Sequence, residues 1–109
     1  MKDDSVYIDH ILECIKKISD YTKDVSQSEF ERNDLIQDAV IRNIEIIGEA
    51  SKKISKDLKS SYPEIPWREI SGMWDNLVHD YMDVDTGVVW KTIKEDIPLI
   101  QSLIQKIER

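Results

Sequence analysis

Hydrophobic residues recur at steps of three and four along most of the chain, the spacing of amphipathic helices. This pattern predicts four helices. The first helix is expected to start at a cap formed by Asp4 or Ser5. Its apolar face comprises Ile8, Ile11, Leu12, Ile15, Ile18 and Tyr21. Four helices joined by short loops predict an up-down bundle, so the fold class is all-α.

The second predicted helix is the longest. Residues 24–27 have the composition of a loop, and a capping box of Ser28 and Glu31 predicts where the helix begins. Apolar spacing then continues for roughly six turns, or roughly 40 Å, through Leu35, Ile36, Ala39, Val40, Ile44, Ile47, Ala50, Ile54 and Leu58. Gly48 inside this helix costs about 1 kcal/mol relative to alanine, unless another backbone packs close there.

Two further helices complete the predicted bundle. The third runs from Pro66 to about Tyr81 and buries Ile70, Met73, Leu77 and Val78. Residues 83–85 break the pattern, and Asp85 or Thr86 caps the fourth helix. Pro98 lies inside the fourth helix and predicts a kink. The inward face of this helix comprises Val89, Trp90, Ile93, Ile97, Ile100, Leu103, Ile104 and Ile107.

The amino-acid composition and net charge exclude several classes of protein. The 109 residues form one domain, 1–109, and three glycines and three prolines leave little room for the turns of a β-sandwich. Cys14 is the single cysteine, which excludes a disulfide scaffold. No apolar run approaches the ~18–20 residues that cross a bilayer, and no signal peptide is evident, so we expect a cytoplasmic protein. The net charge of −7 counts against a non-specific nucleic-acid binder.

The residues whose side chains could take part in a reaction cluster between Gly72 and Tyr81. On a helix, Asp75 and His79 are four residues apart and face the same way. A carboxylate can hold a histidine in one tautomer and raise its pKa, which suits general acid–base chemistry. On spacing alone, an exposed Asp–His pair near a helix end is the more ordinary interpretation, and Tyr81 is an aromatic residue at the rim of the bundle.

Two other clusters have ordinary interpretations. The lysines Lys52, Lys53 and Lys56 fit a solvated helix terminus better than an RNA-binding patch. His10 and Cys14 are four residues apart, but two further ligands are not in evidence, so we interpret the pair as structural and predict no metal site. The sequence contains no glycine-rich phosphate loop and no nucleophile elbow.

Several blocks of sequence together resemble the HepT-like family of the HEPN superfamily. The blocks are residues 39–50, 66–73, 77–81, 84–85 and 89–90. The resemblance implies a HEPN-type bundle of four to five helices that forms homodimers and acts as a metal-independent endoribonuclease, without a cofactor. It also implies that the protein is the toxin of a toxin–antitoxin system.

The family motif is an arginine, a polar residue, three more positions, a histidine, any residue and a tyrosine. By this resemblance His79 is the motif histidine, Asp75 the polar residue and Tyr81 the tyrosine, whereas Trp74 occupies the arginine position. An arginine offers a permanent charge and a planar fork of donors to phosphate oxygens. Trp74 has one neutral N–H donor, so the motif as written implies weakened catalysis.

The resemblance also implies a protein partner. In this family an MntA-like minimal nucleotidyltransferase acts as antitoxin and transfers AMP to the motif tyrosine, here Tyr81. The added negative charge near His79 would repel an RNA backbone. The alternative is a non-catalytic HEPN module that pairs with a nucleotidyltransferase. An apolar group of Trp67, Met73, Trp74 and Trp90 serves as either a dimer interface or core.

Overall fold

The computed structural model describes residues 2–73, 75, 78–80 and 83–108, with the side chains of 4–73, 75 and 84–108. Helices dominate, which confirms the predicted all-α class. They are α1 (Lys2–Thr22), α2 (Gln27–Glu31), α3 (Asp34–Lys53), α4 (Lys56–Ser61), α5 (Trp67–Ser71), α6 (Thr86–Lys91), a π-helical turn (Thr92–Asp96) and α7 (Ile97–Gln105). Two short antiparallel strands, β1 (Val78–Asp80) and β2 (Asp83–Val84), were not predicted. None of the described helices has both the length and the apolar character needed to span a bilayer.

The core is built mainly from isoleucine. Helix α1 packs along α3 and α7, while α5 packs on α3 and α6 on α2. The interior between them holds Ile8, Ile11, Ile15, Ile18, Phe30, Val40, Ile44, Ile47, Ile100 and Ile104. The predicted inward faces are therefore largely confirmed, while Leu77 and the side chain of Val78 lie outside the described residues. Tyr21 and Leu35 are exceptions, being 41% and 79% exposed, because they lie in the terminal turns of α1 and α3.

Asp4 does not cap α1 as predicted. The helix begins at Lys2, and Asp4 lies inside it with only 3% of its surface exposed. Its carboxylate accepts hydrogen bonds from the backbone N–H of Ser55 (2.8 Å) and from the Ser55 hydroxyl (2.6 Å). Asp4 therefore ties the start of α1 to the start of α4.

The predicted long helix is broken twice. Asn33 caps α3 by accepting from the N–H of Ile36 (3.0 Å), and Ser55 caps α4 by accepting from Leu58 (3.2 Å). Both breaks occur at short polar residues whose side chains compete with the helical backbone for hydrogen bonds. The apolar spacing continues across the breaks because the separate helices bury the same side.

The capping box also lies two residues earlier than predicted. The Ser26 hydroxyl accepts from the N–H of Glu29, and the Glu29 carboxylate accepts from the N–H of Ser26, both at 3.1 Å. This pair starts α2, whereas Ser28 and Glu31 lie within that helix. The hydrogen bonds from Ser26 lower the pKa of the Glu29 carboxyl.

The fourth predicted helix begins as expected, with Asp85 accepting from the N–H of Val88 at 3.1 Å. It then widens into the π-helical turn directly before Pro98. Val89, Ile93 and Ile97 are spaced by four and four, which would rotate the apolar stripe by about 40° per step in an ideal α-helix. The wider turn takes up part of that drift, and all three residues remain buried.

Candidate functional site

Helix α5, which leads into the candidate site, is fixed closely against α3. A Cβ atom at Gly48 would lie 3.2 Å from the carbonyl oxygen of Ser71. The Ser51 hydroxyl donates to the carbonyl oxygen of Gly48 (2.8 Å) and lies 2.9 Å from the Ser71 hydroxyl. Since Ser51 has a single hydroxyl hydrogen, Ser71 is the donor in the second contact. The close backbone approach that would explain Gly48 is thus confirmed.

The chain leaves α5 through a short turn. The N–H of Gly72 donates to the carbonyl of Arg68, and the N–H of Asp75 donates to the carbonyl of Gly72, both at 3.0 Å. Met73 is 6% exposed and belongs to the core, while Asp75 is exposed to solvent. After this turn Met73 and Asp75 are helical, and the exposed Asp75 carboxylate follows two residues after the buried Met73.

His79 lies in the middle of β1 and not on a helix. Val78 pairs with Val84 and Asp80 with Asp83, with an irregularity in the register between the two pairs. The prediction of one helix from 66 to about 81 is therefore wrong. Gly72 ends α5, and β-branched valines favour the extended backbone of a strand pair.

This change of element alters the predicted site. Asp75 and His79 do not share the face of one helix, because His79 lies in a strand. A contact between their side chains therefore no longer follows from helical spacing and stays a prediction. Trp74, Asn76 and Tyr81 lie outside the described residues, as does the side chain of His79. Along the chain, the strand pair lies between α5, which packs on α3, and α6, which Asp85 caps.

The predicted lysine cluster lies at the break between two helices. Lys52 and Lys53 belong to the last turn of α3, and Lys56 is the first residue of α4; all three are exposed. The Nζ atom of Lys52 lies 3.5 Å from Glu49 Oε1. Cations are favourable at a helix C-terminus, so this position accounts for two of the lysines without RNA. An RNA contact by these lysines stays a prediction.

His10 and Cys14 occupy different surroundings. His10 is exposed, whereas Cys14 is buried in the core, where burial raises the pKa of its thiol. Within the described part of the chain, no three His, Cys, Asp or Glu residues are grouped so that they could hold a metal ion. His10 instead borders an open groove between α1 and α3, lined by Tyr7, His10, Arg42, Ile46, Glu49, Ala50 and Lys53. Sequence reasoning missed this groove, because its residues come from two helices whose pairing the sequence does not state.

Comparison with known proteins gives a consistent result. A sequence model described as "Ribonuclease HepT-like" matches residues 11–107. A relative from Thermococcus cleftensis named "Probable ribonuclease HepT" is 46% identical over 103 residues, covering 94% of each chain. A Methanocaldococcus jannaschii protein, named as a "gamma-glutamylcyclotransferase and putative RNase", is 45% identical over 106 residues. That match covers 97% of this chain and 48% of the relative, so the chain spans about half the length of that protein.

No solved structure matches this chain at a significant level. The family match nevertheless takes in every residue of the candidate site, from Trp74 through His79 to Tyr81. Together with the helical bundle, it identifies the chain as a member of the HepT-like ribonuclease family of the HEPN superfamily.

Proposed function

We propose that this protein is a metal-independent endoribonuclease, the toxin of a toxin–antitoxin system, with His79 as its catalytic acid–base group. The observation that carries the proposal is the ribonuclease family match over residues 11–107, which includes the His79-x-Tyr81 spacing of the motif. The short strand that holds His79 comes after α5, which packs on α3, and before α6, which packs on α2, and this suits a group that must be positioned for proton transfer.

The proposed reaction uses the RNA as its own nucleophile. The ribose 2′-OH attacks the adjacent phosphorus, a bond from O2′ to phosphorus forms, and the bond from phosphorus to O5′ breaks. His79 takes the proton of the 2′-OH or gives a proton to the leaving O5′. Asp75, an exposed carboxylate four residues earlier, would orient the imidazole.

We also propose a homodimer in which two copies of the motif form one cleft. Trp67 and Trp90 support this, because both are only partly buried where they pack against the core. Met73 does not, because it is buried in the core of its own chain. Large aromatic residues with remaining exposed area are enriched at protein interfaces.

Trp74 at the arginine position weakens the proposed reaction. The phosphorane intermediate carries extra negative charge, and an arginine would stabilise it where Trp74 offers one neutral donor. We expect the substitution Trp74→Arg to raise the rate of RNA cleavage by about 10²–10³, the effect of one strong donor to a developing oxyanion. Gel analysis of an end-labelled RNA, under single-turnover conditions, measures this rate.

The control for this experiment is the double variant Trp74→Arg/His79→Ala. Cleavage that appears with the arginine and disappears with the histidine supports the proposal. Equal cleavage by the original chain and Trp74→Arg, or cleavage that persists without His79, contradicts it. Circular dichroism of each variant establishes that the helical bundle is retained.

We further propose that a minimal nucleotidyltransferase antitoxin neutralises the protein at Tyr81. The phenol oxygen of Tyr81 attacks the α-phosphorus of ATP, the new oxygen–phosphorus bond forms, and pyrophosphate leaves while the phenol proton passes to a base. The resulting phosphodiester carries a negative charge two residues from His79, where it would repel the RNA backbone.

Intact-mass spectrometry after incubation with such an enzyme and ATP tests this step. We expect a mass increase of one or more AMP groups that is lost in Tyr81→Phe and retained in Tyr21→Phe, which removes an exposed tyrosine hydroxyl elsewhere. Modification that survives Tyr81→Phe would refute the assignment of the site.

A second candidate function is a non-catalytic module that pairs with the nucleotidyltransferase. Trp74 favours it, and so does the charge of residues 64–96, which carry eight acidic and three basic residues. A segment with excess negative charge repels RNA phosphates but not a basic protein partner. AMP transfer to Tyr81 without RNA cleavage by Trp74→Arg would support this second function.

A further inference from the structure

We propose that the groove between α1 and α3 binds a short stretch of single-stranded RNA through residues that do not belong to the candidate catalytic strand. The inference rests on the proposed ribonuclease function, since it assigns the groove to the same substrate. A base would contact the aromatic pair Tyr7 and His10, and the backbone phosphates would contact Arg42 and Lys53.

The shape of the groove suits a nucleotide base. The groove has a volume of about 340 Å³ and an apolar floor that includes Ile46 and Ala50. The rings of Tyr7 and His10 meet edge to face, with centroids 6.2 Å apart and planes at 81°. Tyr7 is partly buried against the core, whereas His10 is exposed, so the pair offers a fixed and accessible aromatic surface. Bases stack on such surfaces with little sequence preference.

The positive charges of the groove are spaced along one side of α3. Arg42 and Lys53 are eleven residues apart, about three helical turns, and therefore lie on the same side of the helix, roughly 16 Å apart along its axis. A single nucleotide is too short to reach both cations. A strand that runs along the groove can place one phosphate near each, which favours RNA over a free nucleotide.

Neighbouring carboxylates contact cations of this region through exposed ion pairs. Arg42 Nη1 lies 2.8 Å from Glu45 Oε1, and this pairing uses one of the five N–H donors of the guanidinium. Glu49 also lines the groove, but Lys52 lies 3.5 Å from its carboxylate. Exposed ion pairs of this kind contribute little, so phosphate oxygens can compete for the cations.

Fluorescence anisotropy with a short 5′-labelled, 2′-O-methylated single-stranded RNA tests the inference. The methyl groups block the attacking hydroxyl, so binding is measured without cleavage. We expect His10→Ala and Arg42→Glu each to weaken binding about tenfold, the loss typical of one stacked base or one strong ionic contact. Arg42→Glu should also reduce the dependence of log K on log salt concentration by at least ~0.7, the value for one released counterion on a single strand.

Two variants outside the groove serve as matched controls. Tyr21→Ala removes another exposed aromatic ring from α1, and Arg32→Glu reverses another exposed arginine. Both should bind the RNA as the original chain does. Equal losses in Arg42→Glu and Arg32→Glu, undetectable binding of the RNA by the original chain, or binding of AMP as tight as that of the RNA would each overturn the inference.

The outcome is separable from that of the proposed function. Groove-dependent binding without any cleavage by Trp74→Arg contradicts the ribonuclease proposal and leaves the RNA site standing. If Trp74→Arg cleaves RNA and the groove variants bind RNA as tightly as the original chain, only the proposed RNA site is contradicted.

Discussion

The buried carboxyl of Asp4 links the stability of the described bundle to pH. Burial raises the pKa of its carboxyl, but the hydrogen bonds from the hydroxyl and backbone of Ser55 outweigh this and hold the pKa below its ordinary value. Because the folded pKa is lower than the unfolded one, the unfolded chain binds more protons in acid. The stabilisation is therefore complete above about pH 4–5 and is lost as the pH falls through the lowered pKa.

We expect Asp4→Asn to lower the free energy of unfolding at neutral pH by about 1–3 kcal/mol, the contribution of hydrogen bonds to a charged acceptor. The difference from the original chain should shrink as the pH falls. Urea unfolding at a series of pH values measures both. Asp20→Asn, which affects only an exposed pair with Lys16, should change stability by less than ~1 kcal/mol. A loss in Asp4→Asn that does not depend on pH would contradict the explanation.

At this scale the sequence predicts which residue types act as caps better than it predicts their positions. Ser26–Glu29 and Ser28–Glu31 have the same spacing, and only the path of the backbone selects the first pair. For the fourth predicted helix the sequence offers Asp85 or Thr86 as the cap, and the structure selects Asp85. The sequence indicates Asp4 as a cap because an acidic residue near a helix start is typical of one, and its actual partner, Ser55, is 51 residues away.

At the scale of elements, the contact of α5 with α3 depends on the absence of a side chain at Gly48. An alanine Cβ there would meet the Ser71 carbonyl at 3.2 Å, closer than ordinary van der Waals contact. At Gly72 the nearest backbone atom to an added Cβ is the Arg68 carbonyl oxygen at 3.5 Å, which is an ordinary contact. The two glycines near this contact should therefore respond differently to the same substitution.

We expect Gly48→Ala to destabilise the protein by about 1 kcal/mol, because an overpacking cost of about 1–3 kcal/mol exceeds the ~1 kcal/mol gain in helix propensity. This lowers Tm by roughly 4–8 °C. Gly72→Ala should leave Tm unchanged or raise it slightly. Thermal unfolding monitored by circular dichroism compares the two variants. An equal loss of Tm in both would show that the spacing at Gly48 is not the cause.

The strand pair marks the limit of prediction at this scale. Strands of three and two residues are too short to show a period of two, and Leu77 and Val78 continue the helical spacing of Ile70 and Met73. The sequence therefore predicts the wrong element for His79, and its assignment of the site residues stays a prediction. The pairing of Val78 with Val84 is a contact between two strands that apolar spacing does not predict.

For the whole molecule, the order of apolar residues was sufficient to predict a helical bundle. Isoleucines spaced by three and four in three separate segments can be buried together only when the helices lie side by side.

The charged residues are distributed unevenly along the chain. The acidic residues of 64–96 lie on both sides of the candidate strand in sequence, while Lys52, Lys53 and Lys56 lie at the junction of α3 and α4. Under the proposed function, we therefore expect RNA to be bound mainly by residues other than those next to His79 in sequence.

The π-helical turn at residues 92–96 has a consequence for the evolution of this chain. A π-helical turn has the hydrogen-bonding pattern of an α-helix that has gained one residue. Losing a single residue here would restore regular α-helical bonding, yet it would rotate Ile97, Ile100 and Ile104 away from α1. Length variants at this point should therefore be rejected, although the local backbone could accommodate them.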